Sequence, residues 1–389
     1  MFNVGDTVKI YDDDKPFAVA KGKVIVDMNK HNEYIVSADE KEFLCNEKNL
    51  ARAYTHLSPT GLALFETNRE EFYMKYMARY KPSRIPQTAP MSVGSAFDAY
   101  VKSYIVTKLR GVNNVPKQFE FPTIFKQQVE EHNREWALKA GLHCFECYKN
   151  SGALADLMLE INTGDSEPRF EFEMKGLVHL ENEHVPITGK PDLYFVNRLG
   201  ARVVSDWKVN GYCSNSPVSP KPQYVMCRDS WPDSTAKRSK NDRQAHKDAF
   251  VQMCKGIMVN VACKFEQIDY DWATQIATYA WLMGEPVGSD FICGLEQLAC
   301  KPGGVNLGFG VSSPPLIRVA SFRSYIGKEF QLACFNRYKD AWEIINSDHF
   351  FRNMSRSDSL IRCEQLEKVS LSLRPTGNAK EDWFSTNCR

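Results

Sequence analysis

Hydrophobic and polar residues alternate in short runs over the first 54 residues of the chain. Residues 4–10 contain a Gly-Asp turn that leads into alternation, residues 23–26 are mostly β-branched, and residues 33–36 follow a polar Asn-Lys-His-Asn segment. Short alternating runs bounded by turn residues are typical of β-strands. The pattern therefore predicts a small all-β domain over residues 1–54.

The Val-Gly-Asp-x-Val opening of this segment is similar to that of SH3-like barrels. Such a domain either binds nucleic acid or protein, or only packs against the rest of the chain.

The apolar spacing changes to a helical one after Leu57. Ser58 can cap the first turn of a helix, and Pro59 suits the first helical position. Further helices are predicted from residues 91–97 onward, across residues 127–141, from about 271 to 283 and from about 325 to 346. Residues 169–209 alternate instead and predict a meander with strands at 170–174, 187–196 and 201–209. Residues 55–389 are thus predicted to form a mixed α/β domain with a helical C-terminal region.

The composition is that of an ordinary globular protein, with 43% hydrophobic and 25% charged residues. Disorder of the whole chain is therefore excluded. No apolar run reaches the 18 or so residues that a membrane span needs, and the first residues lack a signal peptide pattern. The sequence therefore predicts a cytoplasmic protein without a membrane partner.

Charge is balanced over the whole chain, with 49 basic and 48 acidic residues, so any affinity for nucleic acid must come from a local patch. One candidate is an irregular insertion at about residues 213–247, rich in Pro, Ser and Asn. Within it, residues 221–247 carry seven basic and three acidic side chains. A connection of this length either has a function, such as following a DNA backbone, or is simply a solvated loop.

The 12 cysteines include a single C-x-x-C pair, Cys144 and Cys147, with His143 beside it. A structural zinc site needs a second close pair of ligands, which the sequence does not offer. We therefore expect these cysteines to pack as small hydrophobic residues. The sequence also lacks a G-x-x-x-x-G-K-[ST] loop, so a helicase motor would be a separate protein.

The residues that suggest chemistry lie on two neighbouring strands of the predicted meander. Asp206 and Lys208 are two residues apart, so both leave the same face of one strand. Asp192 lies fourteen residues earlier, on a strand that the turn at 197–200 makes antiparallel to the first. Two carboxylates suit a hard divalent cation such as magnesium, and a nearby ammonium can assist an attacking water. This combination predicts hydrolysis of a phosphodiester bond.

The ordered set Gly189-x-Pro191-Asp192, Asp206-x-Lys208 and Gln275-x-x-x-Tyr279 resembles the PD-(D/E)xK nuclease superfamily, in particular its RecB-like exonuclease branch. The resemblance covers roughly residues 57–300. It implies a restriction-endonuclease-like mixed sheet flanked by helices. It also implies that Asp192, Asp206 and the main-chain carbonyl of Trp207 hold the metal, and that Gln275 and Tyr279 approach the DNA.

Other family positions match only in part. The family often carries a metal-binding Glu on the preceding strand, which Glu171 or Glu173 would supply, with Glu173 favoured. Where RecB-type enzymes carry a His ligand four residues after a Gly, this chain has Asp98 after Gly94. Iron–sulfur members need a Cys near residues 66–68 and a close C-terminal triplet; Cys363 and Cys388 stand alone, so no iron–sulfur cluster is predicted.

The resemblance therefore implies a DNA nuclease that uses magnesium or manganese. An exonuclease acting on linear or single-stranded DNA is favoured, as in phage recombination, repair or DNA degradation, which would place it in the host cell cytoplasm. A recombination protein or a separate helicase would be its partner. Two alternatives remain open: a non-enzymatic module that binds nucleic acid or protein, and an enzyme that cuts RNA or acts as a site-specific endonuclease.

Overall fold

Strands and helices occur in separate runs along the computed structural model. Its described part comprises residues 2–11, 18–26, 33–77, 86–162, 167–170, 173–213, 226–228, 251–303 and 315–346. The chain divides into two units. The first contains Met1–Ile85, Met174–Gly189 and Leu332–Leu373, and the second contains Pro86–Glu173, Lys190–Gln331 and Arg374–Arg389. The predicted mixed α/β class is confirmed.

The strands of the described residues are β1 (Thr7–Tyr11), β2 (Ala18–Val26), β3 (Glu33–Ala38), β4 (Lys41–Asn46), β5 (Leu50–Arg52), β6 (Arg169–Phe170), β7 (Met174–Leu180), β8 (Glu183–Gly189), β9 (Leu193–Val196), β10 (Arg202–Asn210), β11 (Met226–Arg228), β12 (Val251–Cys254), β13 (Ile257–Asn260), β14 (Ile292–Lys301) and β15 (Leu316–Tyr325). The helices are α1 (Pro59–Thr67), α2 (Arg69–Phe72), α3 (Ala89–Arg110), α4 (Phe121–Gln128), α5 (Arg134–Asn150), α6 (Ala153–Asn162), α7 (Phe265–Ile268), α8 (Tyr270–Leu282) and α9 (Lys328–Asn346).

The N-terminal strands form a five-stranded antiparallel sheet in the order β4-β3-β2-β1-β5. Val8, Tyr34 and Val36 are fully buried at the centre of its own small core. Gly22 is required in β2, because a Cβ atom there would lie 2.2 Å from the carbonyl oxygen of Ser37. The predicted all-β segment is thereby confirmed as an antiparallel sheet, and its likeness to an SH3 barrel stays a prediction.

The first unit continues past residue 54, where the sequence places a domain boundary. The main-chain amide of Leu57 donates to the carbonyl of Pro186 at 2.9 Å, and the amide of Thr188 donates to the carbonyl of Leu57 at 3.2 Å. These bonds join the segment before α1 to the hairpin of β7 and β8. Ser58 caps α1 as predicted, because its hydroxyl accepts the amide of Gly61 at 3.0 Å.

The second unit is built on a six-stranded mixed sheet in the order β11-β15-β14-β10-β9-β6. Strand β10 runs parallel to β14 and antiparallel to β9. Helices α3 and α5 lie against each other so closely that a Cβ atom at Gly141 would be 2.5 Å from the Cβ atom of Ala96. Both helices contribute to one large core with β10 and β14. A mixed sheet with helices is therefore shown, whereas the restriction-endonuclease-like arrangement stays a prediction.

Two predicted elements are interrupted. The helix expected over residues 127–141 is broken between α4 and α5, where Gln87 binds the turn: its side-chain oxygen accepts the amide of Glu130 at 3.0 Å and its carbonyl accepts the Asn133 side chain at 2.7 Å. The strand expected over residues 187–196 divides into β8 and β9. Pro191 has no amide hydrogen for a strand ladder, so the chain breaks there.

The basic insertion lies almost entirely outside the described residues, with only β11 described between residues 214 and 250. The chain after residue 346 also lies outside them. No helix in the described ranges combines the length and the apolar character needed to cross a membrane.

Candidate active site

Strands β9 and β10 bring Asp192 and Asp206 into contact. Leu193 pairs with Ser205 across the two strands, so Asp192 lies at the start of β9 beside Asp206. The carboxyl groups of the two residues share a hydrogen bond, and Asp192 Oδ2 also accepts the main-chain amide of Trp207 at 3.1 Å. Asp206 is only 3% exposed. The predicted convergence of these two acids is therefore present.

Lys208 lies on the same side of β10 as Asp206 and forms an ion pair with it. Its ammonium group also donates to Gln275 Oε1 at 3.2 Å and lies 5.8 Å from the centre of the Trp272 ring. Gln275 in turn donates from Nε2 to the hydroxyl of Tyr279 at 2.7 Å. Both α8 residues picked out by their spacing thus reach the site: Gln275 contacts Lys208, and Tyr279 contacts Gln275.

Helix α8 presents these two residues because its opposite face is apolar. Its apolar stripe is fully buried and consists of Ala273, Ile276, Ala277 and Ala280. Asp269 caps the helix by accepting the amide of Trp272 at 3.0 Å. The helical period therefore turns Gln275 toward Lys208, as its sequence spacing predicts.

The two acids have opposite electrostatic environments. Burial of its carboxyl group, together with the neighbouring Asp206, raises the pKa of Asp192 well above its ordinary value. Burial also acts to raise the pKa of Asp206, but the Lys208 ammonium and the hydrogen bond from Asp192 lower it overall. Of the two acids, Asp192 is therefore the one that keeps its proton to the higher pH in the metal-free protein.

A second ion pair lies next to this one and comes from helix α3. The ammonium of Lys102, which is only 2% exposed, lies 2.5 Å from Asp98 Oδ2. The same oxygen accepts the side-chain amide of Gln128 from α4 at 2.9 Å. Both Asp98 and Lys102 act electrostatically on Asp192. The weakly matching Asp98 therefore lies beside the predicted acids.

Sequence reasoning missed Lys102 and Gln128. A signal for Lys102 existed, since it follows Asp98 by four residues and lies among Val101, Ile105 and Val106 on a helix that is otherwise apolar there. A lysine at such a position is buried only if it is paired. No local pattern distinguishes Gln128, because its contact with Asp98 spans two helices.

The structure does not bring Glu173 together with the two aspartates. Glu173 is exposed and lies between β6 and β7, outside any strand. Among the described residues no group of three or more His, Cys, Asp or Glu side chains is close enough to hold a metal ion, so the predicted trio of Asp192, Asp206 and Glu173 is not assembled. Glu171 lies outside the described residues. The metal role of the Trp207 carbonyl stays a prediction.

The pair of Asp192 and Asp206 nevertheless fits a magnesium or manganese ion by its chemistry. Magnesium is usually bound by one or two carboxylates, with waters and substrate phosphate completing its shell. The two carboxyl groups interact directly in a mostly buried site, so their oxygen atoms lie near each other. A divalent cation bound there would favour the deprotonated form of both acids.

The C-x-x-C pair lies elsewhere in the second unit. Cys144 and Cys147 on α5 are both buried in the large core, in agreement with the packing expected from the sequence. The Cys147 sulfur lies 3.6 Å from His143 Nε2. Cys363 and Cys388, which bear on the iron–sulfur prediction, lie outside the described residues.

Comparison with known proteins leaves the family open. No family model matches the chain, and no curated protein matches it. A solved structure described as "Crystal structure of SSO0001" is similar over 76% of this chain and 85% of its own, with 10% identity and a TM-score of 0.22. A likeness at this level supports no argument about fold or function.

Proposed function

We propose that this protein is a metal-dependent DNA nuclease that hydrolyses phosphodiester bonds. In this proposal it acts as the RecB-like exonucleases of the PD-(D/E)xK superfamily do. The observation that supports the proposal most is the contact of Asp192, Asp206 and Lys208 at neighbouring strands. Binding alone does not require two acids and a lysine to meet in a mostly buried position, where each charge costs free energy unless it is paired.

Asp192, Asp206 and the carbonyl of Trp207 would hold the metal in this proposal. A magnesium or manganese ion supplies a polarised phosphate oxygen and a more acidic water. Asp206 and Gln275 hold the Lys208 ammonium in place. From there Lys208 orients the attacking water or stabilises the negative charge that develops on the phosphate oxygens. Gln275 and Tyr279 position Lys208 and lie where a DNA strand would approach.

Degradation of end-labelled linear DNA in the presence of magnesium tests this proposal. We expect Asp206→Asn and Lys208→Met to lose activity by a factor on the order of 10²–10³, because each removes several kcal/mol of transition-state stabilisation. Lys108→Met is the matched control, since Lys108 is exposed on α3. A circular substrate that resists attack would support an exonuclease over an endonuclease.

The same assay distinguishes the non-enzymatic alternative. If wild type and both site variants bind DNA equally well and none of them hydrolyses it, the protein is a binding module. Faster cleavage of a matched RNA than of DNA would instead identify a ribonuclease. Equal hydrolysis by wild type, Asp206→Asn and Lys208→Met would contradict the assignment of the site.

A further inference from the structure

The ion pair of Asp98 and Lys102 differs from the rest of the site in being neutral by itself. Lys102 is almost completely buried, and its ammonium lies 2.5 Å from Asp98 Oδ2. That oxygen also accepts the Gln128 amide at 2.9 Å, so two donors already converge on it. A carboxylate oxygen with two donors at these distances is poorly placed to bind a cation as well, because the cation would face the ammonium directly.

The formal charges of the site show what Lys102 changes. Asp98, Asp192 and Asp206 supply three negative charges, and Lys102 and Lys208 supply two positive charges. One divalent cation turns the resulting single negative charge into a single positive charge. That charge matches one phosphodiester group, whereas a second divalent cation would leave an excess of three positive charges in a mostly buried site.

We propose that Lys102 is a built-in cation that engages Asp98 Oδ2 and offsets the charge of Asp98, so that the site binds a single divalent ion through Asp192 and Asp206. The inference rests on the proposed function and goes beyond it, because it assigns a role to Lys102 and fixes the number of metal ions. Asp98 and Lys102 are positioning residues in this scheme. They set the electrostatic potential at the metal and do not touch it.

Binding of manganese alone to the full chain, measured by calorimetry and by the electron spin resonance signal of the free ion, tests the inference without DNA. The variants are Lys102→Met, Asp98→Asn and the double variant, with Lys108→Met as the matched control on the same helix. We expect one manganese ion per wild-type chain. Removal of the Lys102 charge should tighten binding about tenfold or more, and removal of the Asp98 charge should weaken it by a similar factor.

The double variant gives the sharpest comparison, because it removes both charges and leaves the net formal charge of the site unchanged. We expect its manganese affinity to lie within about threefold of wild type, which corresponds to a difference in binding free energy of roughly 0.7 kcal/mol or less. If Asp98 were a metal ligand, the double variant would instead bind at least about tenfold more weakly. If Lys102→Met is unfolded by circular dichroism, the double variant compared with wild type decides the question alone.

Three outcomes overturn the inference: unchanged affinity in folded Lys102→Met, a large loss in the double variant, or two manganese ions in wild type. Parallel measurement of DNA hydrolysis separates these failures from failure of the proposed function. A wild type that degrades DNA but shows any of the three outcomes disproves only the role of Lys102. A wild type that neither binds manganese nor degrades DNA disproves both.

Discussion

Burial of the Asp192 carboxyl group lowers the stability of the metal-free protein at neutral pH. Its carboxyl group is kept from most water and lies against Asp206, so its pKa is raised well above the ordinary value. The folded state therefore binds a proton that the unfolded chain releases above about pH 4. Stability consequently falls as pH rises from about 4 toward the folded-state pKa. The buried acid that the proposed chemistry needs thus destabilises the metal-free fold as pH rises.

Replacement of Asp192 by Asn should remove this destabilisation. The Asn carbonyl can still accept the Trp207 amide and its NH₂ group can still donate to Asp206, so the contacts survive without the buried acid. We expect the free energy of unfolding without metal to increase, by up to about 1.4 kcal/mol for each pH unit between 4 and the folded-state pKa. Urea unfolding at pH 4.5 and pH 7 in a chelator measures it.

Asp156→Asn is the control for this prediction, because Asp156 is exposed on α6. We expect that variant to change stability by less than about 0.5 kcal/mol at both pH values. A gain in Asp192→Asn that is the same at both pH values, or a loss at pH 7, would contradict the assignment of the proton to Asp192.

Helix α3 depends on a close approach to α5 for its position. A Cβ atom at Gly141 would lie 2.5 Å from the Cβ atom of Ala96 and 2.9 Å from the main-chain nitrogen of Phe97. Main-chain atoms cannot move aside without shifting the whole helix. Since α3 also carries Asp98 and Lys102, this helix contact helps to set the geometry of the site.

The element-level prediction is that Gly141→Ala lowers the free energy of unfolding by about 1–3 kcal/mol, because overpacking forces the helices apart. Gly94→Ala is the matched control: Gly94 also lies inside a helix, but a Cβ atom there meets nothing within 4 Å. We expect the control to be neutral or stabilised by up to about 1 kcal/mol, since Ala favours helix. Urea unfolding checks both, and equal effects at the two positions would refute the close-approach argument.

At the scale of the whole molecule, the proposed metal should stabilise the folded state by binding to it alone. At a magnesium concentration one hundred times the dissociation constant, the gain is about 2.7 kcal/mol. We expect magnesium to raise the unfolding midpoint of the transition that includes the second unit. Differential scanning calorimetry with and without magnesium measures this shift.

Asp206→Asn provides the comparison, because it removes a carboxylate from the metal pair while keeping a similar shape. We expect its unfolding midpoint to be insensitive to magnesium. The same magnesium-dependent increase in wild type and in Asp206→Asn would show that the ion binds elsewhere on the chain.

Local patterns in the sequence were sufficient for several elements and for the centre of the site. The alternation around Asp206 and Lys208 places both on one strand face, and the four-residue interval between Gln275 and Tyr279 places both on one helix face. These periods follow from backbone geometry alone, so they hold whatever the strand or helix packs against. The turn at Asn197 is equally local, since its side chain accepts the amides of Leu199 and Ala201.

Contacts between distant segments were decided only by the tertiary structure. Three features depend on partners that no local period specifies: the break between α4 and α5 that Gln87 binds, the pairing of Leu57 with β8, and the burial of Lys102 beside Asp98. Glu173 was expected beside the two aspartates from its position along the chain, but the tertiary structure does not bring it there. The sequence alone therefore determined which faces carry charge, and packing determined which of those charges meet, since a buried charge is tolerated only where a partner from another element neutralises it.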